Sequence, residues 1–156
     1  MSRLRITTSI ALLGAILTVG SCSSGGGGGG GGTSAPSSPE ATVDAFMNAV
    51  RANSLVAMGD LWGTDRGPVR NYMAPDEVER RLSVMRIYLE NEEYEILAPG
   101  AQMGMDEKQR VVRVQLTRRG CRPVVPFTVT RFGNGWLVSN VDLAAAGNPA
   151  RPCDGG

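Results

Sequence analysis

Apolar residues recur at helical spacing in three segments of the first half of the chain. The first helix is expected to begin at Ser38, followed by proline and glutamate, and its inward residues are Val43, Phe46, Met47 and Val50. A second, shorter helix is predicted between Ser54 and Gly63, with inward residues Leu55, Met58, Leu61 and Trp62. Residues 64–73 indicate a loop, and a third helix follows with inward residues Val78, Leu82, Met85 and Leu89.

The pattern changes to alternation from residue 94 onward, which predicts a run of antiparallel strands. A short strand containing Tyr94 and Ile96 is followed by longer strands at 110–118, 125–130 and 136–143. The sequence Gly133-Asn134-Gly135 predicts a hairpin turn. Helices followed by strands indicate an α+β fold. The inward residues of the long strands are expected to be Val112, Val114, Leu116, Val125, Phe127, Val129, Trp136 and Val138, with Asn140 as a further candidate.

Two segments resemble members of the NTF2-like, cone-shaped α+β family. Residues 39–46 are similar to the first helix of such domains, and residues 129–138 are similar to their last hairpin, where a glycine turn precedes a tryptophan. The resemblance covers residues 38–144. It implies two or three N-terminal helices packed on a curved antiparallel sheet of about four strands. A cystatin-like fold, which normally has one main helix, is the alternative.

The resemblance also implies a cone interior that could serve as a pocket. Its candidate lining residues are Trp62, Tyr88 and Trp136, although the two tryptophans are equally expected to be core anchors. Enzymes of this family use a His-Asp pair or Tyr and Asp residues in an apolar cavity. The chain offers acids and tyrosines but no histidine, so no catalytic residue is carried over. The tyrosines and acids considered are Tyr72, Tyr88, Tyr94, Asp44 and Asp60.

The N-terminus has the pattern of an export signal. Residues 1–5 contain two arginines and no acid, and the apolar run that follows is too short to span a ~30 Å hydrocarbon core. Residues 19–22, Val-Gly-Ser-Cys, resemble the lipobox of bacterial lipoproteins. The resemblance implies cleavage of residues 1–21 and lipid attachment to Cys22, which would hold the protein at a membrane. A buried N-terminal helix and an unmodified cysteine are the alternatives.

Residues 22–37 contain eight consecutive glycines among serines and predict a flexible tether. The domain is then expected at residues 38–144. Ser23 follows the candidate lipidated cysteine, where an aspartate tends to retain Gram-negative lipoproteins in the inner membrane. Ser23 therefore favours the outer membrane, facing the periplasm, over the inner membrane.

The absence of histidine removes several classes of chemistry. Ser-His-Asp and Cys-His catalysis and histidine-ligated metal sites are excluded, and no cofactor or metal site is predicted. Of 16 basic residues, Arg3 and Arg5 lie in the signal, which leaves 14 against 15 acidic residues, a net charge of −1. A near-neutral chain is not expected to gather nucleic acid.

Two cysteines remain in addition to Cys22. In an exported chain, Cys121 and Cys153 are expected to form a structural disulfide that pins the tail, residues 145–156, to the end of the sheet.

Three arginines, Arg118, Arg119 and Arg122, cluster at the turn that contains Cys121. They indicate either an anion site or a solvated sheet edge protected by charge.

Three classes of function remain open. The first is an envelope lipoprotein whose non-catalytic domain binds a protein or a small-molecule ligand. The second is a structural or assembly role, as a homodimer formed through the open sheet face. The third is an isomerase-like enzyme that uses Asp and Tyr in the cone. We expect the first, because the chain lacks histidine and any catalytic motif.

Overall fold

The computed structural model describes residues 35–98 and 107–151. The predicted signal peptide, the tether up to residue 34, and Cys22 and Cys153 lie outside these residues. The helices are α1 (Pro39–Arg51), α2 (Leu55–Leu61) and α3 (Pro75–Tyr88). The strands are β1 (Gly63–Thr64), β2 (Gly67–Pro68), β3 (Glu93–Ile96), β4 (Gln109–Thr117), β5 (Val124–Phe132) and β6 (Gly135–Val141), and a 3-10 turn covers Val69–Asn71.

Strands β3 to β6 form one antiparallel meander in the order β3-β4-β5-β6, and β1 pairs with β2 in a separate hairpin. Helix α1 packs against β4, β5 and β6, while α2 packs against both α1 and α3. The predicted α+β class is confirmed: in the described part of the chain, three helices pack on an open four-stranded sheet. The arrangement is consistent with an NTF2-like or similar cone fold and differs from a fold with one main helix.

The sequence signals at the helix ends act as expected. The Ser38 side chain accepts a hydrogen bond from the backbone N–H of Ala41 at 3.1 Å, and Ser54 caps α2 in the same way. Asn53 adopts a φ of 53°, the left-handed conformation that ends α1. These local interactions fix a sharp turn between α1 and α2.

The second helix ends earlier than predicted. Trp62 leaves α2 with extended backbone and pairs with Val138 of β6 in a parallel bridge. Gly63, expected to close the helix, instead begins β1, where a Cβ would collide with the carbonyl oxygen of Gly67. The segment predicted as a loop therefore holds most of a small hairpin, whose two strands have two residues each. Strands this short cannot produce an alternating pattern.

The space between α1 and the sheet is filled with side chains. The inward stripes predicted for β4 and β5 are confirmed, and their central residues are fully buried. The Phe46 ring contacts Phe127 edge-on, with ring centres 6.2 Å apart. Close packing of this kind leaves the helices and sheet with one continuous core, whose other large members include Met47, Met58, Leu82, Leu89 and Leu116.

Asn140 does not face the core. A bulge between Thr128 and Val129 interrupts the pairing of β5 with β6, so that Val129 pairs with Val138 and Thr128 pairs with Asn140. The extra residue in β6 reverses the alternation beyond it. Asn140 is consequently exposed and Val141 is buried in its place.

The chain enters the domain at the turn between β5 and β6. The backbone N–H of Trp136 donates to the carbonyl oxygen of Pro36 at 2.9 Å. A Cβ on Gly135 would lie 2.7 Å from the Ala35 side chain, so glycine is needed there for space. The last residues of the tether are thereby fixed to the start of β6.

Candidate functional site

The residues predicted to line a pocket lie in or against the core. Trp62 and Trp136 are 6% and 5% exposed and belong to the continuous core cluster. Tyr88 is half-buried near the end of α3 and packs against that cluster. The three clefts described below are lined by other residues.

Among the acids and tyrosines considered for catalysis, Asp44 and Tyr94 contact each other. The Tyr94 hydroxyl donates to Asp44 Oδ1 at 2.8 Å, and Asn48 Oδ1 lies 3.3 Å away. Burial raises the pKa of Tyr94 to about 12, helped by the hydrogen bond and charge of Asp44 and opposed by Arg51. This phenol stays protonated at neutral pH. The pair lies on the outer side of α1, at the surface of the domain.

The remaining candidates are separated from this pair. Asp60 forms an ion pair with Arg70, and the Tyr72 hydroxyl contacts the Thr64 hydroxyl at 3.2 Å. These side chains therefore do not form the apolar cavity with Asp and Tyr that an isomerase-like site requires.

An apolar groove of about 350 Å³ lies between α2 and α3. Gly59 forms part of its lining, and a Cβ on Gly59 would be in van der Waals contact with Leu82 Cδ1, at 3.4 Å. Val56 borders the groove and is 71% exposed, an unusual exposure for a valine beside other apolar side chains. The whole lining is Leu55, Val56, Gly59, Arg70, Pro75, Val78, Glu79 and Leu82.

The charged residues around the groove differ in whether they form ion pairs. Its cation, Arg70, is paired with Asp60, and the neighbouring acids of α3, Asp76 and Glu77, pair with arginines one turn later along the helix. Glu79 is exposed at the rim and has no ion pair or hydrogen bond among the described residues. The rim therefore presents a carboxylate that can accept a cation.

Arg118 is a buried structural residue, which neither alternative for the arginine cluster anticipated. It is 9% exposed, and its guanidinium donates to the carbonyl oxygens of Tyr88 at 2.9 Å and Ala146 at 2.7 Å. It thereby joins the end of α3 to the segment after β6. Alternation could have revealed this, because residues 112, 114 and 116 on the inward side of β4 and residue 118 just after the strand are all buried.

Two smaller clefts flank this arginine and the ends of α1 and α3. One of about 120 Å³ is lined by Arg118, Arg119 and the acids Glu90 and Glu92, and another of about 190 Å³ lies beside Arg51 and Arg86. Asn91 lines both, and its buried Oδ1 accepts no hydrogen bond in the described part of the chain. A buried amide oxygen next to a polar cleft is a site for a bound water.

The predicted covalent sites are described only in part. Cys121 lies in the β4–β5 turn, where it pairs with Arg118 through the backbone. The disulfide to Cys153 and the lipid on Cys22 stay predictions, since both of those cysteines lie outside the described residues.

Within residues 35–98 and 107–151, no group of three or more Cys, Asp or Glu is arranged to hold a metal ion. In the same residues, no helix is long and apolar enough to cross a membrane.

The chain matches no family model and no curated protein. Among solved structures it has some likeness to the phospholipid-binding protein from Ralstonia solanacearum, determined in complex with a phospholipid. The two share 12% identity with a TM-score of 0.39, over 68% of this chain and 75% of that one. A likeness at this level carries no argument about the function of this chain.

Proposed function

We propose that the protein is a lipid-anchored lipoprotein of the cell envelope whose domain binds a partner protein, without catalysis, through the groove between α2 and α3. The groove is the observation that carries the proposal. Its apolar walls remain open although the space between the helices and the sheet is filled, and its volume of about 350 Å³ lies in the range of ligand sites.

The occupant that fits best is an amphipathic helix with aliphatic side chains and one basic residue. Such a helix can place apolar anchors against Val56 and Leu55 and a cation beside Glu79. A fatty acid or an acidic lipid would need a cation at the rim, and Arg70 is already paired with Asp60. Charge complementarity therefore favours a cationic peptide over an anionic lipid.

Selection from a displayed library of helical peptides tests this function. The bait is the mature chain with Cys22→Ser, and selected peptides are expected to combine aliphatic residues with lysine or arginine. Val56→Asp should abolish their binding, whereas Val84→Asp should not, because Val84 is an exposed valine on the other side of α3. Peptides that bind both variants equally would remove the groove from the proposal.

The anchor is tested separately in cells. Radiolabelled palmitate should be incorporated into the wild-type protein, which should fractionate with the outer membrane, and Cys22→Ser should lose both label and membrane association. Labelling that persists in the variant would contradict lipidation at Cys22. The reading of Ser23 is tested by Ser23→Asp, which should move the protein to the inner membrane.

A further inference from the structure

The point at which the tether joins the domain is defined by two contacts. Ala35 packs against Gly135, and the Pro36 carbonyl oxygen accepts from the Trp136 backbone N–H at 2.9 Å. A lipid anchor upstream of Ala35 is therefore connected to the domain at the β5–β6 turn. With the anchor proposed for Cys22, the domain is joined to the membrane through this turn.

Basic side chains surround this turn. The Arg131 guanidinium carbon lies 5.4 Å from a ring centre of Trp136, and that of Arg110 lies 6.0 Å from it. Lys108 is exposed, and its backbone carbonyl oxygen accepts from the Arg131 backbone N–H at 2.8 Å. Two guanidinium groups thus lie over one tryptophan, and a third basic residue belongs to the neighbouring backbone, at the end of the sheet where the tether arrives.

Exposed aromatic residues continue the same surface. Phe132 is 37% exposed and its ring borders Gly67, where a Cβ would lie 3.2 Å from the ring. The β1–β2 hairpin next to it carries Arg66, whose guanidinium lies 4.6 Å from the centre of the Tyr72 ring. Tyr72 is also 37% exposed. Aromatic and basic residues together are typical of surfaces that rest in a membrane interface.

We propose that this turn surface, made of Arg66, Tyr72, Lys108, Arg110, Arg131 and Phe132, rests on the anionic phospholipid headgroups of the membrane that holds the anchor. The inference rests on the proposed lipidation of Cys22. Arg66 and Arg131 meet headgroup phosphates, and Phe132 enters the boundary between headgroups and acyl chains.

The contact orients the domain and does not anchor it. Each basic residue near an anionic surface strengthens binding by about fivefold, but Asp65 and Glu107, the chain neighbours of Arg66 and Lys108, offset part of this gain. A short tether supplies a millimolar effective concentration, so a weak contact is occupied once the anchor is inserted. In this orientation, residues at the opposite end of the sheet point away from the lipid.

Vesicle cosedimentation at about millimolar lipid, the effective concentration that a short tether supplies, tests the proposal with the mature chain carrying Cys22→Ser, so that no anchor contributes. Vesicles of phosphatidylglycerol should bind the protein, vesicles of phosphatidylcholine should not, and added salt should release it. Combining Arg66→Glu with Arg131→Glu should weaken binding at least about tenfold. The matched control combines Arg122→Glu with Arg151→Glu, which makes the same change of charge at the opposite end of the sheet and should retain binding.

Phe132→Ser provides a second variant that leaves the charge unchanged, and it should also weaken binding to phosphatidylglycerol. Circular dichroism confirms that each variant is folded. Three results would overturn the proposal: no binding to phosphatidylglycerol, equal binding to both kinds of vesicle, or equal loss in the control. Palmitate labelling of Cys22 in cells separates any of these failures from a failure of the anchor itself.

Discussion

Replacing Arg118 is expected to destabilise the domain more than replacing any exposed arginine. Its guanidinium joins two segments through hydrogen bonds: the Tyr88 carbonyl at the end of α3 and the Ala146 carbonyl after β6. The change Arg118→Ala leaves both carbonyl oxygens without these donors. The exposed Arg122, four residues further along the chain, provides a matched control.

The expected magnitude follows from the two hydrogen bonds, at 2.9 and 2.7 Å. Hydrogen bonds that involve a charged group contribute about 1.5–3 kcal/mol each, so the pair contributes about 3–6 kcal/mol. Burying a positive charge without an anionic partner offsets part of this gain. We therefore expect Arg118→Ala to cost about 2–4 kcal/mol of unfolding free energy, against less than about 0.5 kcal/mol for Arg122→Ala. Arg118→Lys should fall between them, because one ammonium cannot reproduce the fork of a guanidinium.

Urea unfolding followed by tryptophan fluorescence measures these differences, because Trp62 and Trp136 are both buried in the core. Hydrogen exchange adds a local readout. The amide N–H of Ala146, which donates to the carbonyl of Leu143 at 3.2 Å, should lose protection in Arg118→Ala and keep it in Arg122→Ala. Equal stability of the two variants would refute the argument that Arg118 connects α3 to the tail.

Three further variants probe other parts of the structure. Phe127→Ala should cost about 3–5 kcal/mol in urea unfolding, because it removes the partner of a fully buried ring contact. Gly135→Ala should increase cleavage at Ala35 and Pro36 in limited proteolysis, because the added methyl displaces the segment that Trp136 holds. Ultraviolet titration should show one phenol ionising near pH 12, absent in Tyr94→Phe and shifted down in Asp44→Asn. Since this folded-state pKa lies above the usual value near 10, the stabilisation it reflects should be full below pH 10 and be lost as the pH rises towards 12.

Long periodic segments made most of the fold predictable. The apolar stripe of α1 repeats over about two turns. The strands β4 and β5 are each nine residues long and alternate over most of that length, so their buried faces follow from spacing alone. Ser38, Asn53 and Ser54 act locally, which is why the helix ends near them could be placed from the sequence.

Features that depend on distant residues could not be predicted in the same way. Trp62 leaves its helix to pair with Val138, a residue far along the chain whose position no local pattern encodes. The bulge in β6 opposite Thr128 turns Asn140 outward, although the pattern made it a candidate for the inward side. No glycine or proline in β6 marks the position of this bulge. Such features arise from tertiary contacts that override local preference.

The groove could not be predicted from the periodicity of the sequence for a related reason. Periodicity identifies the residues that a helix buries, and the groove is formed partly by residues outside the predicted stripes, such as Val56 and Glu79. Gly59, which lies in the groove between the two helices, shows no apolar side chain that periodicity could have revealed. Because Phe46, Phe127 and their neighbours fill the space beneath α1, the apolar surface left for a partner lies on the outside of the helical layer. A domain built in this way would bind across its helices, away from the sheet.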